Sequence, residues 1–523
     1  MTELLIINNR QDNLMMCSGA KFRGEIRLQE TLLTEVNLAT VEGQRAYQRT
    51  VLLLLCIAAK KVLPNSTVCV EHSLSNGVYC EVHANRALSH RDIALLEQTM
   101  RELVATNLPI RVIEMEREKA VQLLDERGMH SSSSLLATLS KSTVPITTCA
   151  DFVQYYPGPI LANTGMVPQF RLRFYLPGLV VQIPEDNSGS IPPYKEQPKL
   201  FSVYREAERW AHILGVDSAA SLNKLNRLTE AADLIRVSEA LHEKKIAAMA
   251  DMVAANPEIR LINIAGPSSS GKTTFAQRLK IQLRVNGLRP VTISLDDYFL
   301  SRDQTPLDED GKPDFESIAA LDLPLLGDHL SRLIQGDAVD VPAFDFHTGQ
   351  RANVTRRLQI SHDQPVIIEG IHGLNEMLTS SIPKGNKFNI YISALTQINI
   401  HNHIRIHTTD ARLIRRMVRD AQFRSHPAER TISMWPMVRR GEQRNIFPFQ
   451  ENADVMFNSA LIYELAVLKA KAVPLLQAIP IDSPVRSTSD RLLLLLSHFT
   501  PISENDIPPN SILREFVGGS CFV

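Results

Sequence analysis

The 523-residue chain predicts an α/β protein, a parallel sheet with helices on both faces, preceded by a separate α+β domain. Three observations carry this. The stretch "LINIAGPSSSGKTTFAQRL" (261–279) reads as an apolar strand, a glycine-bracketed polar turn and a helix. The short apolar segments "VTIS", "PVIIEG" and "FNIYIS" alternate with amphipathic helical stretches, as strands covered on both faces require. Ahead of a linker rich in Pro, Gly, Ser and charge at 183–199, the pattern changes to a hairpin among helices.

In chain order, "VLLLLCIAAKKVL" reads as a helix and "STVCVEHSLSNGVYCEVH" as a hairpin turning at Ser-Asn-Gly. "SHRDIALLEQTMRELVAT" is an amphipathic helix with a serine N-cap. Residues 200–255 are helical and charged. The phosphate-loop pattern begins at Leu261. The last fifty residues hold the helix "LIYELAVLKAKAVPLLQAI", a leucine run and a Pro-rich tail, to which no chemistry attaches. The expected division is 1–40 as a degenerate N-terminal segment, 41–182 as the α+β domain and 183–256 as linker and helical segment. Residues 257–475 form the parallel α/β domain and 476–523 the C-terminal tail.

Composition narrows the function classes. The formal net charge is −1, with 44% hydrophobic and 22% charged residues, which supplies no global attraction to nucleic acid or membrane. Six scattered cysteines without a CxxC pair point to reduced thiols rather than a zinc site or disulfide framework. The apolar run at 51–59 is shorter than the ~20 residues a membrane span needs. The N-terminus lacks a basic start and cleavage site, so a cytoplasmic protein is expected.

The chemistry gathers around Gly266–Pro267–Ser268–Ser269–Ser270–Gly271–Lys272–Thr273, which fits GxxxxGK[ST] and is followed by Thr274. Such glycines let successive N–H groups turn inward around phosphate oxygens, and the following helix adds its positive end. Lys272 would reach the β/γ-phosphates and Thr273 would sit on Mg²⁺. Asp296 and Asp297 in "VTISLDDYF" lie at the carboxyl end of the next strand, the edge that faces ligands in open parallel sheets. A carboxylate there can take a proton from an attacking hydroxyl or help hold the metal; its structural alternative is a turn cap. Glu369, ending "PVIIEG", is a second acidic group at that edge. Arg412, Arg415, Arg416 and Arg419, at spacings of three and four, share one side of a helix, with Arg424 just beyond it. They form either a solvated face or a lid that clamps a transferring phosphoryl group. A GTPase reading rests on Asp308–Gly311 as DxxG, but "NKFN" at 386–389 fails as NKxD, and a small-molecule kinase accounts for more residues.

In order, "GPSSSGKTT", "ISLDDYF", "DFESIAALDLPLL", "VPAFDFHTGQR", "VIIEG" and "DARLIRRMVRD" resemble the uridine kinase and phosphoribulokinase family over roughly 258–475. The resemblance implies Asp296 as base for the acceptor hydroxyl. It implies Thr273, Asp296 and Glu369 at the magnesium site, and Arg416, Arg419 and Arg424 as lid arginines. Phe315 and Glu316 match the pair near the nucleoside and its ribose hydroxyls, with Glu where the family has Asp. The base-contacting Tyr and His are departures: Phe344 takes the first position, Gly349 the second, and His347 stands two residues before it. His426 replaces a lid arginine and Met434 a glutamine near the base. Residues 40–180 resemble the editing region of threonyl-tRNA synthetases, whose four catalytic positions fall on Arg49, Leu53, Tyr156 and Ile160. None is a usable imidazole or thiol, which leaves a binding or oligomerisation module.

The expected function is therefore ATP- and Mg²⁺-dependent phosphorylation of a hydroxyl on a nucleoside or related sugar-bearing small molecule. The rival is an RNA- or tRNA-binding regulatory protein that uses ATP as a switch, and a third reading exchanges the acceptor for another small alcohol or phosphosugar. The expected partners are ATP and the acceptor, with RNA contact by the N-terminal module and homo-oligomer formation as further expectations, and no membrane.

Overall fold

The computed structural model describes residues 32–522 apart from 228–229, 309–310, 312, 346–347 and 362. Its C-terminal half is built on five strands in the order Val291–Ser294, Val366–Glu369, Leu261–Ala265, Lys387–Ser393, Val455–Asn458, every neighbouring pair parallel. The phosphate-loop strand is thus central. Because side chains alternate along a strand, its two faces bury different partners. Ile262, Ile264, Ile367, Ile390 and Ile392 pack with Phe275, Leu279 and Leu283 of the helix Lys272–Val285. Leu261, Ile293, Val366 and Ile368 pack with Leu326, Leu330 and Leu333 of the helix Leu323–Gln335 on the other face. The expected parallel sheet covered on both sides is what forms.

The expected N-terminal elements form as well. Thr40 caps the helix Val41–Val62, whose apolar run is a core helix. The hairpin strands are Thr67–Leu74 and Gly77–His83, within a four-stranded antiparallel sheet completed by Gly178–Gln182 and Arg171–Tyr175. Ser89 caps the helix His90–Thr106 with a full capping box to Asp92. Ile110–Glu116, Thr143–Cys149 and Phe152–Gln154 make a second sheet. Of the first forty residues, the described part contributes Leu32–Leu33, paired in parallel with Ile160–Leu161. Residues 1–31 of that expected degenerate segment lie outside the described residues.

The helical region after the linker forms Pro198–Ile213, Ala219–Arg227 and Ala231–Ala254. The third helix lies along the phosphate-loop helix, where buried Arg278 donates to Glu243 at 2.7 Å. The two halves share a core: Leu135, Val144, Ile146 and Tyr155 belong to one apolar cluster with Leu222, Leu496 and Phe499. A two-stranded hairpin, Asn399–His401 with Ile404–Arg405, seats in the N-terminal domain. There Val70 N–H donates to the Asn402 carbonyl at 2.6 Å, His401 Nε2 to the Tyr155 carbonyl at 2.9 Å, and Gln154 Nε2 to His403 Nδ1 at 2.8 Å. Among the described residues no helix is long and apolar enough to cross a membrane.

Candidate active site

The phosphate loop has the geometry its glycines imply. A side chain on Gly266 would collide with the Ile392 carbonyl, so the backbone passes where only glycine fits. Ser269 and Gly271 take left-handed φ values of 59° and 81°, turning the chain into the helix that starts at Lys272. Lys272 folds its ammonium onto the carbonyls of Gly266 (2.9 Å) and Pro267 (3.2 Å). Burial lowers its pKa, against the pull of Glu369, Asp296 and Glu515. The hydroxyls of Ser269 and Ser270 are buried without a hydrogen-bond partner among the described residues. Such unsatisfied donors fit a loop that completes its bonding with phosphate oxygens.

The acidic edge lies beside it. Glu369 is in register with Ile264 on one side and Ser294 on the other. Thr273 Oγ1 stands 3.5 Å and Ser294 Oγ 3.4 Å from its Oε1. Burial, reinforced by the charge of Asp296, pushes Glu369 up to about 7. Asp296 follows the strand end in a 3₁₀ turn, Leu295–Tyr298, capped by the Ser294 hydroxyl. The cap is therefore Ser294, and the Asp296 side chain is left exposed to the cleft. The surrounding protein still raises its pKa by desolvation, while Lys272, Arg424 and Arg419 oppose that rise.

The arginine helix, Thr408–Phe423, divides by function. Arg412 is buried in a two-pronged pair with Glu442 (2.7 and 2.6 Å). Arg415 is buried against Glu464, the Ser459 carbonyl (2.9 Å) and the Ser269 carbonyl (3.3 Å). These two brace the scaffold. Arg416 points into the cleft, donating to Ser268 Oγ at 2.8 Å. Asp420 gathers Arg416 (3.3 Å), Arg419 (2.9 Å) and Arg424 (3.7 Å), so one carboxylate orients all three expected lid arginines. Neither a solvated face nor a uniform clamp describes this helix.

On the acceptor side, Phe315 is partly exposed and Glu316 is pushed up to about 7 by burial, against the charge of Arg416. Gly441 must be glycine-sized because a side chain there would strike Glu316. Phe344 sits in a short hairpin pair with Arg351, its ring 5.8 Å from Phe299. Gly349, where the family's histidine would be, is covered by the side chain of Arg302. His347 lies outside the described residues.

Several residues here were not anticipated. Glu442, besides pairing Arg412, accepts from Arg439 (2.8 Å) and from the Ser268 N–H (3.2 Å). The C-terminal tail closes on the phosphate loop: Ile512 packs against Gly271, and Thr274 Oγ1 donates to Glu515 at 2.8 Å. In the N-terminal domain, Leu53, Tyr156 and Ile160 are fully buried in its core, so three of the four positions matching the editing residues are packed shut, while Arg49 is half-buried.

Residues 261–464 match the Phosphoribulokinase / Uridine kinase family. A uridine kinase from Chloroflexus aggregans is 32% identical over 200 residues, covering 38% of this chain and 85% of that protein. One from Halalkalibacterium halodurans is 28% identical over 218 residues, 41% of this chain and 94% of the relative. The N-terminal region is similar to threonine–tRNA ligases. That from Syntrophotalea carbinolica is 33% identical over 142 residues, 26% of this chain, and the chain spans 22% of that ligase's length. A phosphate loop, an acidic strand edge and a cleft-facing arginine set, matched over nearly the full length of such kinases, lead to one conclusion: this is a small-molecule P-loop kinase of the phosphoribulokinase and uridine kinase family, fused to a threonyl-tRNA synthetase-like domain.

Proposed function

We propose that the protein transfers the γ-phosphoryl group of ATP, with Mg²⁺, to a hydroxyl of a nucleoside or related sugar-bearing small molecule. The observation that carries this reading is Asp296, a carboxylate open to the cleft and within the electrostatic reach of Lys272, Arg419 and Arg424. A protein that used ATP only as a switch would have no need of an acceptor-side base.

The residues fit the cofactors. The orphaned hydroxyls of Ser269 and Ser270 and the helix start at Lys272 suit the nucleotide phosphates. Thr273 and Glu369, with Asp296 beyond them, would hold Mg²⁺, which supplies charge neutralisation to the phosphates when bound. The chain's own part is positional. Asp296 accepts the proton as the acceptor oxygen attacks, Lys272 and the arginines held by Asp420 offset charge on the transferring group, and Phe315 and Glu316 orient the acceptor. The tail residues Ile512 and Glu515 border the start of the loop helix.

Phe344, Gly349 and Met434 replace the relatives' base-contacting residues, so the acceptor class is the point to test. Purified protein with ATP and Mg²⁺ is screened against nucleosides, sugar alcohols and phosphosugars, with Lys272→Ala as blank. A phosphorylated nucleoside supports the reading; no phosphorylated compound in the panel overturns it. Salt-sensitive tRNA retention on filters by the full chain would instead favour the RNA-binding reading.

A further inference from the structure

The phosphoryl-transfer site leaves unused a cluster of guanidiniums at the seam between the two halves. Arg45 and Arg49 are four apart on the helix Val41–Val62, so they project from one side one turn apart. Across the seam, the hairpin ending at Arg405 leads through His407 into the arginine helix. Arg45 grips Asp410, in the first turn of that helix, with two hydrogen bonds of 2.8 and 2.9 Å. Arg491 bonds the same carboxylate. Arg405 donates to His407 Nδ1 at 3.1 Å, and Arg49 donates to the carbonyl of Pro159.

The charges do not balance. Asp410 is already shared by Arg45 and Arg491, whose charges outweigh its burial and hold it down at about 2. Glu42 is the other carboxylate within reach of Arg45. Among the described residues neither Arg49 nor Arg405 has a carboxylate at ion-pair distance. Burial pulls both down to about 10 and nearby Arg45 adds to the effect, opposed at Arg405 by Tyr204, Cys80 and the charge of Asp410 and at Arg49 by Tyr156. His407 is kept neutral by burial and by all four guanidiniums, Arg405, Arg45, Arg491 and Arg49. The buried Nε atoms of Arg405 and Arg491 have no hydrogen-bond partner among the described residues. Like charges gathered in a half-buried seam repel one another unless an anion joins them. The arginine helix begins beside this cluster, at His407 and Thr408, and its N-terminal end favours negative charge in addition to that of Asp410.

We propose that this seam binds a small tetrahedral phosphate group, taken by Arg49, Arg405 and the start of the arginine helix, with Arg45, Asp410 and Arg491 as its frame. It shares no residue with the phosphate loop and does not depend on the acceptor proposed above. The ligand's phosphate can come free or as a phosphomonoester.

The test uses the full chain carrying Lys272→Ala, which weakens phosphate binding at the loop. Calorimetric titration with inorganic phosphate and with glycerol phosphate is compared before and after adding Arg49→Gln and Arg405→Gln. Saturable binding weakened about tenfold or more by the two substitutions is expected, the scale of one lost charged contact. In phosphate-free buffer the substituted chain should melt no lower, because repulsion is relieved. Stronger binding of glycerol phosphate would identify a phosphomonoester, and equal binding any tetrahedral phosphate. Binding unchanged by the substitutions, or none detected, overturns the proposal. So does an equal drop in Tm with and without phosphate, which marks a purely structural network. Should the doubly substituted chain fail to fold, the Lys272→Ala chain is melted in phosphate and in chloride of equal ionic strength; no phosphate-specific rise in Tm rejects the site.

Discussion

Arg416 donates through Nη1 to the hydroxyl of Ser268 at 2.8 Å, latching the arginine helix to the phosphate loop across the cleft. A transferring phosphoryl group would compete for this guanidinium, which Asp420 holds from behind at 3.3 Å. Arg416→Ala is expected to lower kcat by about 100-fold with a much smaller change in nucleotide Kd. Arg416→Lys should recover little, since a point charge cannot reproduce the planar fork. Single-turnover rates beside equilibrium nucleotide binding check both.

Asp296→Asn keeps size and polarity but removes the proton acceptor. Turnover should fall by at least ~100-fold while ATP binding stays nearly unchanged. Near-normal turnover would remove Asp296 from the role of base.

Glu442 is wholly buried and satisfies Arg412, Arg439 and the Ser268 N–H together. Glu442→Ala strands a buried guanidinium, and a loss of about 3–5 kcal/mol in unfolding free energy is expected from denaturant titration. Combining Arg412→Met with Glu442→Leu should recover much of that loss, because no buried charge is then left alone.

Glu369 and Glu316 both titrate near 7 when folded, against an ordinary carboxyl value of 4.5. Between those values the folded chain holds protons that the unfolded chain has released. Stability of the nucleotide-free protein should therefore fall as pH rises from about 4.5 to about 7 and level off above. Mg²⁺ needs the ionised carboxylate, so its affinity in the presence of nucleotide should rise through pH 7. Melting curves and Mg²⁺ titrations across this window test the pair of slopes, and Glu369→Gln should flatten the Mg²⁺ dependence.

The legible parts of the site were those that sit next to one another in the chain. Gly266 to Thr274, Asp296 and Glu369 each close an apolar strand, so strand pattern and residue type locate them together. The hydrogen-bond partners were hidden because they come from afar: Glu442 lies 30 residues from Arg412, and Glu515 lies 241 from Thr274. Spacings of three and four put four arginines on one side of a helix but could not tell which met Glu442 and Glu464 and which met the cleft. That distinction is made by packing of the helix Ala428–Asn445, which carries Glu442, and of Ser459 and the helix Glu464–Gln477 on Arg415. The tail "SILREFV" carried one signal, an acidic residue within an apolar segment, whose meaning appears only once Ile512 is seen against Gly271.

The hairpin Asn399–Arg405 ties the fate of one half of the molecule to the other. Its His401 and His403 bond Tyr155 and Gln154, and Tyr155 in turn meets His498 at 3.0 Å, so the synthetase-like domain is held by the segment just before the arginine helix and by the C-terminal region at once. Opening either half would strip apolar side chains such as Leu496, Phe499 and Val144 from their neighbours. A single melting transition for both halves is therefore expected in calorimetry of the full chain, and removal of the synthetase-like domain should lay bare part of the kinase half's own core.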